Sequence, residues 1–320
     1  MRVLVAGASG AIGRTLVPAR LARGHQVAGL VRTEASGACV AGQGAVPFVA
    51  DALDPVGVSA CFEQFRPEAV AHQLTALSAA ADLRHFDRVF AKTNALRTRG
   101  TDILLAAARQ CGVGRFVAQS FCGWPYARVG GPVKTEDDRL DPNPPAALSN
   151  TLDAIRYLER VVSTATELKG ASLRYGGFYG PGTSLSWDGA IVEQVRRRRF
   201  PIVGAGAGVW SFLHIEDAAS ATIAALESDA AGIFNVVDDE PAPVANWLPA
   251  LAAAVRAKPP LRLPALFARL ILPEHLFVML TDIRGGSNAR FKRTFAWQPA
   301  WPTWREGFQR GLGSPRQGHA

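Results

Sequence analysis

Residues 2–13 read Arg2-Val3-Leu4-Val5-Ala6-Gly7-Ala8-Ser9-Gly10-Ala11-Ile12-Gly13, and this stretch decides the fold. Residues 2–6 form a short, mostly apolar run, the pattern of a strand buried on both faces. Gly7 stops the run. From residue 12 to 22 the spacing turns helical, with Ile12, Leu16 and Ala19 on one face. A strand, a glycine-rich turn and a helix in that order make a phosphate-binding unit. Gly7 permits the tight turn, Gly10 lets a pyrophosphate approach the backbone, and Gly13 lets helix and strand pack closely. The free amides at the helix start, with Ser9, Ala11 and Ile12 around them, then face the phosphates of a dinucleotide.

Working outward, short apolar runs at 27–31, 46–50, 69–72, 115–119 and 171–175 predict further strands. Helical stretches at 84–110 and 148–168 lie between them. Strands alternating with helices imply right-handed crossovers, so the fold class is α/β, a Rossmann-type doubly wound parallel sheet. After about residue 180 the texture becomes short elements separated by proline-rich turns, such as Pro241-Ala242-Pro243. The expected organisation is a dinucleotide-binding part over 1–180 and a smaller, mainly substrate-binding C-terminal lobe over 181–320, packed on the same sheet. The glycine-rich loop 204–208, between Ile202-Val203 and Val209-Trp210, reads as a hairpin turn.

Composition narrows the function classes. Hydrophobic residues are 48% and charged residues 19% of the chain, an ordinary globular balance. No apolar run reaches about 18 residues, and the N-terminal run is too short for a secretory signal, so a cytoplasmic chain without a membrane span is expected. Cys39, Cys61, Cys111 and Cys122 have no zinc spacing and read as reduced thiols, with no metal site expected. The net charge of +8 comes with thirty arginines and only five lysines. Its one dense cluster, Arg196-Arg197-Arg198-Arg199, has no interleaved aromatics, which argues against nucleic acid. Two readings stay open for it: the solvated end of a helix, or a seat for a phosphate or carboxylate.

The GxxGxxG spacing resembles that of the extended short-chain dehydrogenase/reductases, the NAD-dependent epimerase/dehydratase family. Asp51, Asn94, Ser120, the run Arg174-Tyr175-Gly176-Gly177-Phe178-Tyr179-Gly180-Pro181 and the run Ser211-Phe212-Leu213-His214-Ile215-Glu216-Asp217 extend the resemblance over nearly the whole chain. It implies that Asp51 and Ala52 lie by the adenine, and that Gln73, Leu74 and Thr75 line the ribose. It also implies that the backbone of Tyr175, Gly176, Gly177 and Phe178 runs along the nicotinamide, and that Asn94 is structural.

Cofactor choice rests on the end of the second strand, where an NAD site needs a carboxylate for the ribose hydroxyls. This chain has Val31 and then Arg32, with Arg14 nearby; an arginine there suits the 2′-phosphate of NADP(H).

Members of that family use a tyrosine with a lysine four residues later. None of the four tyrosines here has one, and alignment on Glu159 puts Thr151 and Ile155 at those positions. Ser120 and Tyr126 are the remaining candidate catalytic residues. Lys134 reads as a solvated loop charge, Cys122 as an unreactive thiol, and His214 as a capping and packing residue. Three readings follow: an NADP(H)-dependent reductase of a small apolar carbonyl or activated alkene, a nucleotide-sugar epimerase or dehydratase retaining its cofactor, and a non-catalytic NADP(H)-binding regulatory protein. A homodimer through the two long helical stretches is a further expectation.

Overall fold

The computed structural model describes residues 1–76 and 83–313. Seven strands form one sheet: β1 (Arg2–Ala6), β2 (Gln26–Val31), β3 (Val46–Val49), β4 (Ala69–His72), β5 (Arg115–Phe121), β6 (Lys169–Tyr175) and β7 (Gly232–Val236). Their order is β7-β6-β5-β4-β1-β2-β3 and every pairing is parallel. The chain winds outward from β1 in both directions. The C-terminal ends of β1, β2 and β4 therefore surround the crevice in which such sheets bind ligands.

The pleat of β1 explains the two layers. Val3 and Val5 pack to one side, with Leu16 and Val17 of helix α1 (Ala11–Ala22). Leu4 and Ala6 pack to the other, with Val58, Phe62, Leu104 and Leu158. Those four belong to α3 (Pro55–Phe65), α5 (Thr101–Gln110) and α6 (Ala146–Ser163), while α2 (Glu34–Gly42) and α4 (Phe86–Ala95) complete the N-terminal set. Capping fixes several starts: the Asp54 carboxylate accepts from the Val56 and Gly57 amides, and Pro55 begins the helix.

Sequence and structure differ at four places. The stretch 84–110 is one helical path broken by a π-helical turn, Leu96–Gly100, where the Thr101 hydroxyl donates to the Arg97 carbonyl. A seventh strand, Gly232–Val236, which the spacing does not predict, joins the sheet from the C-terminal half. Loop 204–208 is not a hairpin turn. Ile202–Val203 pairs in parallel with Arg262–Leu263, and Val209–Trp210 pairs antiparallel with Ala242–Pro243. The strands flanking the loop thus have different partners, a tertiary fact absent from local spacing. Lys134 is buried rather than solvated, its ammonium donating to the Val129 carbonyl and to Asp138.

The lobe contains α7 (Ala190–Arg196), α8 (Ile215–Leu226), α9 (Val244–Ala254), α10 (Ala265–Ile271) and α11 (Glu274–Thr281). α8 packs on α1 beneath the sheet, and Trp247, Phe212, Trp304 and Phe308 fill the lobe's own core. The arginine run closes the end of α7, where cations suit the exposed carbonyls. No helix among the described residues is long and apolar enough to cross a membrane.

Candidate active site

The glycine turn is a cradle built for backbone approach. Gly7 has φ +94°, and a Cβ there would stand 2.7 Å from the Gln73 carbonyl oxygen. At Gly13 a Cβ would meet the Ala8 carbonyl oxygen at 2.3 Å. Any side chain at either position would push the turn off the sheet. Gly10 is the N-cap of α1 with no side chain capping it, and the first turn carries no acid. The amides of that turn are left for an anion. These features fit a dinucleotide pyrophosphate.

The neighbouring residues lie along the same crevice. Asp51 accepts from the Leu53 amide and stands 3.9 Å from the Lys92 ammonium, and Ala52 is buried beside it. Gln73 is buried, and the amide of Leu74 donates to the His72 ring; Thr75 is exposed. At the end of β2, Val31 is buried and Arg32 is exposed. Arg32 has no hydrogen-bonding or ionic partner among the described residues. Thr33 caps α2 through the Ser36 amide, and Arg14 donates to the Ser9 carbonyl. At the end of β6 the Tyr175 side chain turns into the core, its hydroxyl 2.7 Å from that of Thr222. A Cβ on Gly176 would be 2.8 Å from the Ser211 carbonyl oxygen, and the Gly177 amide donates to the same atom. This close contact carries Phe178 to the edge of the crevice.

The two candidate catalytic hydroxyls sit in a buried ionic network. Ser120 donates to Glu159 at 2.6 Å. Arg174 grips both oxygens of Glu159, at 2.7 and 2.6 Å, and donates to the Tyr126 oxygen at 3.0 Å. Tyr126 in turn donates to Asn235 at 2.6 Å. Burial pushes the Tyr126 phenol above its usual range. Burial works against the Arg174 charge, but the Glu159 carboxylate outweighs it and raises the guanidinium pKa. Ser120 and Tyr126 are both almost wholly buried. Cys122 lies beside them, its thiol pushed up to about 12 by burial, which makes it a poor nucleophile.

The positions that align with the family's tyrosine and lysine face different surroundings. Thr151 is fully buried and its hydroxyl accepts from Asn94 at 3.0 Å. Ile155 packs in an apolar cluster with Phe86, Trp124, Leu148, Leu152 and Val278. Phe121, at the end of β5, joins this cluster with its ring centroid 6.2 Å from that of Trp124; the Phe86 and Trp124 rings meet edge to face at 5.9 Å. No group of three or more His, Cys, Asp or Glu suited to a metal occurs among the described residues. His214 caps α8, its ring accepting from the Glu216 amide.

Sequence reading missed three participants. Arg174 is a charged residue inside a buried strand, and that alone demands a buried acid; Glu159 on α6 supplies it. Asn235 comes from β7, far along the chain, and no local pattern ties it to the site.

Comparison with known proteins agrees with this fold. A reductase from a Streptomyces species, 3-diazoavenalumate denitrifying reductase, is 45% identical over 97% of this chain and all of its own length. A UDP-glucose 4-epimerase from Mycolicibacterium smegmatis is 26% identical over 93% of this chain and 94% of its own. Among solved structures, the Thermus thermophilus UDP-glucose 4-epimerase in complex with NAD superposes with a TM-score of 0.72 at 28% identity, covering 98% of both chains. The Thermotoga maritima UDP-glucose 4-epimerase shares the fold, with a TM-score of 0.76 at 21% identity over 98% of this chain and 97% of its own. The pattern of the NAD-dependent epimerase/dehydratase family matches residues 3–236, and the chain belongs to that family.

Proposed function

We propose that this protein is an NADP(H)-dependent reductase that replaces the nitrogen of an arenediazonium carboxylate by hydride. The carrying observation is an intact dinucleotide cradle in a chain whose Thr151, bonded to Asn94, and Ile155, buried in an apolar cluster, offer no acid or base. Reducing a carbonyl creates an alkoxide that must be protonated, and family members hold a tyrosine and a lysine for that task. Thr151 and Ile155 cannot do it. Hydride transfer to an arenediazonium needs no proton: the hydride pair ends in a new C–H bond, and the C–N pair leaves with N2. The same cluster suits a flat cation. Phe121, partly exposed at the end of β5, offers a ring at the edge of the cluster in which Trp124 and Phe86 are buried. The relative at 45% identity supports the substrate class, because its name denotes removal of nitrogen from a diazo carboxylate.

A bound dinucleotide supplies the hydride. Gly7, Gly10 and Gly13, with Ser9, Ala11 and Ile12, hold its pyrophosphate; Asp51 and Ala52 lie by the adenine and Gln73, Leu74 and Thr75 by the ribose. The Tyr175–Phe178 backbone orients the nicotinamide. NADP(H) is the preferred form in this reading, although similar solved structures hold NAD. Arg32 is an unpartnered guanidinium where an NAD site needs an acid. Ser120 and Tyr126 act by keeping the Glu159–Arg174 pair, and so the floor of the site, in place. The division at residue 180, a cytoplasmic location and a homodimer through α4, α5 and α6 complete the reading.

The test is to mix the purified protein with diazotised aminocinnamate and either NADPH or NADH. Equal molar consumption of NADPH, release of N2 and formation of the arene are expected, with NADH used poorly. Turnover of ketones or enones with none of the diazonium would make the protein a carbonyl or alkene reductase instead. Preference for NADH would remove the role of Arg32.

A further inference from the structure

A cavity of about 640 Å³ is lined by α10, away from the residues assigned to the cofactor. That volume suits one small molecule. One side is the 203–207 loop, and the rest comes from α10 and α11. Ala265, Arg269 and Leu272 line it from positions that share one helical face.

Four charged residues line the cavity, and two are already spoken for. Arg128 donates to Asp141 at 2.9 Å and to the Asn143 carbonyl at 3.1 Å. Asp282 accepts from Arg284 at 3.1 Å. Arg269 and Glu274 have no ionic partner within 4.0 Å among the described residues. The exposed Arg269 guanidinium lies 6.0 Å from the ring centroid of Phe277, another lining residue. Glu274 opens α11, where the helix dipole favours an acid. Val278 links this space to the active site: it lines the cavity and also packs in the cluster with Trp124 and Ile155.

We infer that Arg269 anchors the carboxylate of the substrate, with the diazonium end directed past Val278 to the aromatic cluster. The inference rests on the function proposed above. Arg269 is exposed to solvent at the rim of a largely apolar cavity, where a guanidinium can grip an entering carboxylate through two parallel hydrogen bonds. Glu274 is the like charge that such an anion meets. Its neutralisation should therefore strengthen binding, whereas loss of Arg269 should weaken it.

The experiment compares diazotised aminocinnamate with its methyl ester as substrates for the wild type, Arg269→Met and Glu274→Gln. For Arg269→Met, KM for the acid should rise about tenfold, as expected for loss of a charged hydrogen bond. Its kcat, its melting temperature and its KM for the ester should stay at the wild-type values. Glu274→Gln should lower KM for the acid only. An equal KM for acid and ester in the wild type, or an equal response of both to Arg269→Met, would overturn the anchor and leave the reductase reading standing. Failure of the wild type to turn over either compound would overturn both.

Discussion

Two regions at the C-terminal edge of one sheet have kept different amounts of their family's chemistry. The turn after β1 retains each glycine that a dinucleotide requires, with contacts that leave no room for a Cβ. The face of α6 that alignment on Glu159 sets against the family's tyrosine and lysine carries Thr151, bonded to Asn94, and Ile155, packed in an apolar cluster. The difference separates hydride supply from proton supply. A reaction that ends in a neutral leaving group can dispense with the second, and neither Thr151 nor Ile155 could supply it.

The largest expected effect lies beneath that face. Glu159→Gln or Arg174→Met leaves one buried charge unpaired, and either should cost about 3–5 kcal/mol of stability in urea unfolding. Replacing both by Met should recover much of the loss. If neither single change matters, the network is not what holds the floor of the site.

His72, at the end of β4, gives the pH counterpart. It is fully buried, its ring bonded to Thr101, and burial lowers its pKa to about 4. The unfolded ring titrates near 6.5, so the unfolded state takes up the proton first. Stability is complete above about pH 6.5 and falls by up to about 3 kcal/mol as the pH drops toward 4. His72→Leu should flatten that part of the stability profile.

On the cofactor side, Gly13→Val places a branched side chain against the Ala8 carbonyl. Such overpacking costs about 2–3 kcal/mol, so the Kd for NADPH should rise about 100-fold, read by nicotinamide fluorescence. Arg32→Ala is subtler: it should weaken NADPH about tenfold and leave NADH unchanged. Tyr126→Phe has the smallest expected effect on the reaction. It should leave kcat within about twofold while costing about 1 kcal/mol of stability from the lost hydrogen bonds. A large fall in kcat would make Tyr126 the proton donor and would join the two regions into one conventional site.

Much of this was legible in the sequence, for a physical reason. The glycine turn, the buried strands and the helix starts depend on residues close together in the chain, so spacing alone exposes them. Thr151 and Ile155 could be found by counting from Glu159, which is also local. The partners of Ser120 and Tyr126 could not. Glu159, Arg174 and Asn235 reach one point from α6, β6 and β7, and only the lone charge of Arg174 in an apolar strand hints at them. The 204–208 loop misled for the same reason, since its flanking strands pair with distant segments.

The central claim is that hydride arrives from the dinucleotide while no proton is needed. The most direct test follows the atom itself, using NADPH carrying deuterium at the transferring position with diazotised aminocinnamate in ordinary water, and then the reverse labelling in D2O. One carbon-bound deuterium in the arene is expected from labelled NADPH and none from D2O. Deuterium incorporated from D2O would contradict the claim and would require a proton donor that the apolar cluster does not contain.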